Sequence, residues 1–140
     1  MNDSLENISI DHKVIGFCLK NDFFSKVKNI LDEEMFSGQM KELFKTIVFA
    51  QTTYEKDLTK DELFALHVDK NPAMPSSTKK DVMAIVHALP PDANNHDLQM
   101  DVVKNFWMRD RARLIGEKAI SIFTGQDADF GELQRIMDTV

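Results

Sequence analysis

"MKELFKTIVFAQTTY", residues 40–54, decides the fold class. Met40, Leu43, Phe44, Ile47, Val48, Gln51 and Tyr54 recur at steps of three and four. That spacing places them along one face of an α-helix and would scatter them over both faces of a strand. The stretch is the clearest amphipathic helix of the chain, and its neighbours follow the same period. Towards the N-terminus, Ile10, Val14, Phe17 and Cys18 predict a helix over about 9–20. "NDFF" at 21–24 breaks and restarts it, and Phe23, Val27, Ile30 and Leu31 continue the apolar stripe. "LDEEMFSGQ" at 31–39 reads as a connector, its acidic run as a solvated turn and not a cation site.

Towards the C-terminus the signals are those of helix starts and stops. Thr59 and Glu62 have the spacing of a capping box, with Leu58 and Leu63 at the positions of a hydrophobic staple. Pro72 and Pro75 interrupt helix propagation in "KNPAMPSST". Val82, Ile85, Val86 and Leu89 give the next helix, stopped by Pro90 and Pro91. "DANNHD" at 92–97 is turn chemistry. A long helix follows from about Asp97 to Phe123, with Gly125 placed to end it. Asp129 and Glu132 mark a last helix, with Leu133, Ile136, Met137 and Val140 on one face. No segment shows sustained strand alternation. The expected fold is all-α: a compact multi-helix body over 1–93, then a helical hairpin over 94–140, together one domain.

Composition limits the function classes. The chain has 140 residues, 43% hydrophobic and 29% charged, which suffices for a core without staples. Its net charge of −6 opposes a general nucleic-acid footprint. One cysteine excludes an internal disulfide and points to the cytosol. No apolar run approaches a membrane span, and the polar first residues lack a signal peptide's apolar centre. Catalytic signatures are missing. No glycine is followed by lysine, so there is no phosphate-binding P-loop, and neither Gly-x-Gly-x-x-Gly nor His-Glu-x-x-His occurs. His12, His67, His87 and His96 are scattered and read as solvated or capping residues. Cys18 reads as a small core residue, and Met40, Met83 and Met137 as core methionines.

"KNFWMRDRARLIGEKAISIF", residues 104–123, carries the only Trp and three arginines within five residues. A single-strand grip, with Trp107 stacking on a base, is one reading. The counts weaken it: residues 98–125 hold five basic and three acidic residues, a net of +2. Asp110 with Arg113, and Arg113 with Glu117, are spaced for intrahelical ion pairs. A membrane-surface helix would need a basic face free of acids. Leu98, Val102 and Phe106 form one apolar stripe; Met108, Ala112, Ile115, Ala119 and Ile122 form another, with Val103, Trp107 and Leu114 beside them. A helix apolar on more than one side needs more than one neighbour. A partner subunit is the natural cover for whatever the chain leaves bare.

Over residues 8 to 140 the succession of motifs resembles the N-terminal domain of DnaB-type replicative helicases, most closely those of T-even-type phages. "KVIGFCLKNDFFSKV" resembles the family's opening helix, with Gly16 on its glycine. "EMFSGQMKELFKTIVFA" resembles its next conserved stretch, with Phe36, Leu43, Phe44 and Ile47 on apolar positions. Ser37, Gly38 and Gln39 replace the usual basic and histidine residues. "KDLTKDELFAL", "NFWMRDRARLIGEKAISIF" and "GELQRIMDTV" resemble the segments that follow. Arg109, Arg111 and Ala112 meet the family's Arg-x-x-Ala pattern only in a loose alignment. The resemblance implies a collar domain that pairs through its terminal hairpin and binds primase or a helicase loader. It implies no catalysis and no cofactor in this segment. The 5′-to-3′ motor, with its ATP and magnesium, would lie in a separate domain beyond Val140, and the end on an apolar helix would be a fragment boundary. The expected contact residues are Phe106, Trp107, Leu114, Ile115, Ile122, Phe123, Leu133, Ile136 and Met137. Direct nucleic-acid binding would be weak or missing, and the location the cytoplasm of a phage-infected bacterium. A free-standing helical adaptor that binds a replicative helicase is the alternative.

Overall fold

Seven α-helices follow one another in the computed structural model, which describes residues 9–90, 96–125 and 130–138. They are α1 (Ile10–Phe17), α2 (Asn21–Val27), α3 (Gly38–Tyr54), α4 (Lys60–Lys70), α5 (Ser76–His87), α6 (His96–Phe123) and α7 (Phe130–Asp138). One 3₁₀ turn, Glu33–Met35, precedes α3. No strand occurs among the described residues, so the all-α expectation holds. Pro91, most of the 92–97 turn, the Asp129 start signal and Val140 lie outside the described residues.

The chain divides into two compact units, Met1–Val102 and Val103–Val140, and the division falls within α6. In the first unit, α3 is the central helix: α1 and α4 pack on it, and α5 packs on α4. Met40, Leu43, Phe44, Ile47 and Gln51 on its expected face are all buried. They join Val14, Ile15, Cys18, Phe23, Val27, Leu63, Val82, Val86 and Leu89 as buried side chains. Phe36 stacks on Phe44 with centroids 4.6 Å apart, tying the connector to α3. Tyr54, expected on the buried stripe, is 54% exposed, because the stripe outruns its cover in the last turn.

Local chemistry sets the ends. The Thr59 hydroxyl accepts from the Glu62 amide at 3.0 Å, and the Glu62 carboxylate accepts from the Thr59 amide at 2.8 Å. These bonds satisfy two of the free donors at the start of α4. Glu33 and Glu34 are exposed, as a solvated turn requires. Gly125 adopts φ +80 beyond α6, and its amide returns to the Ile122 carbonyl at 3.1 Å. Only a residue without Cβ takes that left-handed stop at no steric cost. Gly16 is needed for a different reason: a Cβ there would lie 2.9 Å from Cδ of Pro90.

The α1–α2 elbow is joined to α3 by a buried polar network. The Gln51 amide donates to the carbonyls of Cys18 (3.1 Å) and Leu19 (3.2 Å) and accepts from the Asn21 side chain at 2.7 Å. The Leu58 amide donates to Leu19 O at 2.8 Å, and Asp57 accepts from the Asn21 amide at 2.9 Å. An α1 ending inside the protein thus finds partners for carbonyls that water cannot reach.

Two further expectations are corrected in this body. His67, read as solvated or capping, is 1% exposed on the face of α4 that carries Leu63. Its burial is tolerated because Nδ1 lies 2.7 Å from Thr46 Oγ1. Met83 is 44% exposed. It follows Val82 by one residue, which turns it about 100° away from the inward line of Val82, Val86 and Leu89. Met40 and Cys18 are buried as expected, and burial pushes the Cys18 thiol up to about 12.

Candidate interaction surface

In the second unit, α7 packs against α6. One side of α6 is covered or half-covered, and it carries Val103, Phe106, Trp107, Asp110, Leu114 and Lys118. Steps of three and four keep these residues on one line. The basic cluster is neutralised along the helix. Arg113 reaches Asp110 at 2.7 Å and Glu117 at 2.5 Å, and Arg111 reaches Asp110 at 3.2 Å. The Asp110 side chain is only 8% exposed, so its charge is held by arginines and not by water. The Arg111 guanidinium also stands 5.6 Å from the centroid of Trp107, a cation–π arrangement. Trp107 is thereby half-buried beside its own arginine.

The opposite side of α6 is bare and apolar. Met108, Ala112, Gly116, Ala119 and Phe123, at steps of four, four, three and four, are all exposed. Phe123 is 90% exposed, and Ile120 beside it 65%. A Cβ on Gly116 would meet nothing within 4 Å. Small side chains at the middle of this face let a second helix approach closely, and large ones at its ends provide area. In α7, Phe130 (65%) and Met137 (48%) are also exposed. Its polar residues pair locally: Arg135 bonds Glu132, and Gln134 bonds Asp138 at 2.8 Å.

The nine expected contact residues separate into three groups. Phe106 and Ile136 are each 8% exposed, buried within the chain itself. Trp107, Leu114, Ile115, Ile122 and Leu133 are half-buried. Phe123 and Met137 are exposed, so Met137 is not the core methionine the sequence suggested; it follows the buried Ile136 by one residue and faces outward. Sequence reasoning missed Gly116, Ile120 and Phe130. The continuation of Met108 and Ala112 through Gly116 was the available signal for the first of them.

Among the described residues, the Ser9–Asp11–His12 cluster resembles a catalytic triad without having its geometry. Ser9, Asp11 and His12 lie together, but Ser9 Oγ and Asp11 Oδ1 both approach the same imidazole nitrogen, Nδ1, at 2.6 and 3.2 Å. A nucleophilic triad needs the carboxylate and the hydroxyl on opposite nitrogens. Among the described residues no group of three or more His, Cys, Asp or Glu side chains is arranged to hold a metal ion. No helix among them is long and apolar enough to cross a membrane. No protein-family description, characterised protein or solved structure matches the chain.

Proposed function

We propose that this chain is an assembly domain that pairs with a second copy through its terminal hairpin. The exposed apolar face Met108–Ala112–Gly116–Ala119–Phe123 carries the reading. An apolar patch of this kind, bordered by charged residues, is characteristic of a protein-interaction site. A two-fold pairing would place each copy's face on the other's and use every residue twice. Together with the succession of motifs, this supports a collar domain like that of DnaB-type replicative helicases, with primase or a helicase loader as further partner. In that role the segment assembles and recruits, in the cytoplasm of a phage-infected bacterium. It performs no catalysis and needs no cofactor of its own, and ATP hydrolysis belongs to a separate motor domain.

The intrahelical pairing of Arg111 and Arg113 leaves little of their charge for phosphates, so nucleic acid is not the partner proposed for this helix. Cysteine cross-linking tests the pairing directly. Cys18 is fully buried and stays silent under mild oxidation. Gly116→Cys, at the middle of the face and so near the two-fold axis in parallel and antiparallel pairing alike, is expected to form a disulfide-linked dimer, while Lys28→Cys, on the exposed surface of the first unit, is not. Equal cross-linking of the two variants, or none of either, contradicts pairing through the hairpin.

A further inference from the structure

The first unit contains a second feature, unrelated to the hairpin and independent of the assembly reading. Between α3, α4 and the segment leading into α5 lies an open pocket of about 460 Å³. Gln39, Glu42, His67, Lys70, Asn71 and Met74 are among the residues that line it. That volume falls within the range of small-ligand sites.

The Thr46 hydroxyl stands between the Glu42 carbonyl and His67 Nδ1. The Thr46 hydroxyl has one hydrogen, and it donates to the Glu42 carbonyl at 3.3 Å. With the hydroxyl hydrogen on that carbonyl, its 2.7 Å contact with His67 Nδ1 uses the Nδ1 hydrogen. In the neutral ring Nε2 is then a bare acceptor. Nε2 is buried and has no hydrogen-bond partner. A buried acceptor left unmatched destabilises the fold until a donor reaches it.

Acceptor oxygens of Glu42 and Asn71 also belong to residues that line the pocket. Glu42 brings a carboxylate to the rim, where one oxygen accepts from the exposed Lys45 ammonium at 3.4 Å. The Asn71 amide N–H donates to His67 O at 2.8 Å, which leaves its Oδ1 available. The one cationic lining residue, Lys70, holds its ammonium 3.7 Å over the Phe49 ring.

We propose that this pocket binds a guanidinium group, the end of an arginine side chain presented by a partner protein. A planar cation with five donors matches a bare imidazole nitrogen, a carboxylate and an amide oxygen. Entry to Nε2 requires a lining side chain to move. Gln39 and Met74 are unbranched and move at low cost.

The test follows the His67 ring nitrogens by long-range ¹H–¹⁵N correlation above pH 7.5, with N-acetyl-arginine methylamide as titrant. Before addition, Nδ1 is expected to be protonated and Nε2 bare. The titrant should then shift Nε2 saturably, with a dissociation constant on the order of 1 mM. Glu42→Gln, a surface change that leaves the fold alone, should weaken binding about threefold. The neutral analogue N-acetyl-citrulline methylamide should not saturate. A protonated Nε2, the lack of a saturable shift, or equal binding by wild type and Glu42→Gln would each overturn the proposal.

Discussion

Replacing Gln51 by Leu tests the polar network that joins the α1–α2 elbow to α3. The substitution nearly conserves volume and adds apolar surface at a site only 2% exposed. On burial alone it should be neutral or stabilising. The hydrogen bonds predict the opposite. The Leu19 carbonyl keeps the Leu58 amide at 2.8 Å, and the Asn21 side chain, half-buried, can turn towards water. The Cys18 carbonyl loses its Gln51 donor beneath α3. One buried unsatisfied carbonyl costs about 1–3 kcal/mol, and weaker anchoring of Asn21 adds a few tenths. The expected loss is about 2–3 kcal/mol. For a unit of this size that lowers the melting temperature by about 10 °C. Urea unfolding followed by far-UV circular dichroism measures it, provided the denaturant slope matches that of wild type. A loss below about 0.5 kcal/mol would refute the reasoning, since it would mean that these carbonyls reach water without Gln51.

Three further predictions concern single sites. Gly16→Ala should lose about 1–2 kcal/mol in urea unfolding: the new methyl meets Pro90 Cδ at 2.9 Å, and overpacking outweighs the gain of about 1 kcal/mol in helix propensity. Burial lowers the His67 pKa against the smaller, opposite pull of Glu42. The unfolded chain therefore binds the proton first, so stability is full above pH 6.5 and is lost as pH falls from there towards the folded value, by at most about 1.4 kcal/mol per pH unit. His67→Gln should flatten that part of the pH–stability curve, and an unchanged curve would count against a buried neutral imidazole. Cys18, its thiol pushed up to about 12 and fully buried, should react with a thiol-specific disulfide reagent only at the rate of unfolding.

Helix identity and helix ends were legible in the sequence because their causes are local. The capping box at Thr59 and Glu62 needs only its own four residues. The stop at Gly125 needs one left-handed residue, and the ion pairs Asp110–Arg113 and Arg113–Glu117 need one turn of helix. Burial was less legible because it depends on neighbours that the period does not reveal. Met83 and Met137 each follow a buried residue by one position, and spacing alone cannot say how wide the covering element is. His67 was misjudged for a similar reason: its partner, Thr46, lies 21 residues away on another helix. The bare face of α6 was partly visible in Met108, Ala112 and Ala119. Gly116 was passed over because glycine adds nothing to an apolar stripe, although it leaves room for close approach.

The most direct test of pairing is sedimentation equilibrium of the chain from micromolar to near-millimolar concentration, beside the double variant Ala112→Glu and Ala119→Glu. Both alanines are exposed, so the changes leave the single chain folded, as circular dichroism can confirm. In a paired hairpin each glutamate would become a buried, unpartnered charge. A cost of about 3 kcal/mol or more weakens association at least a hundredfold. The wild type is expected to show a rising average mass that approaches that of a dimer, and the variant to remain a monomer over the same range. A wild type that stays monomeric throughout, or a variant that associates as strongly, contradicts pairing through the Met108–Phe123 face.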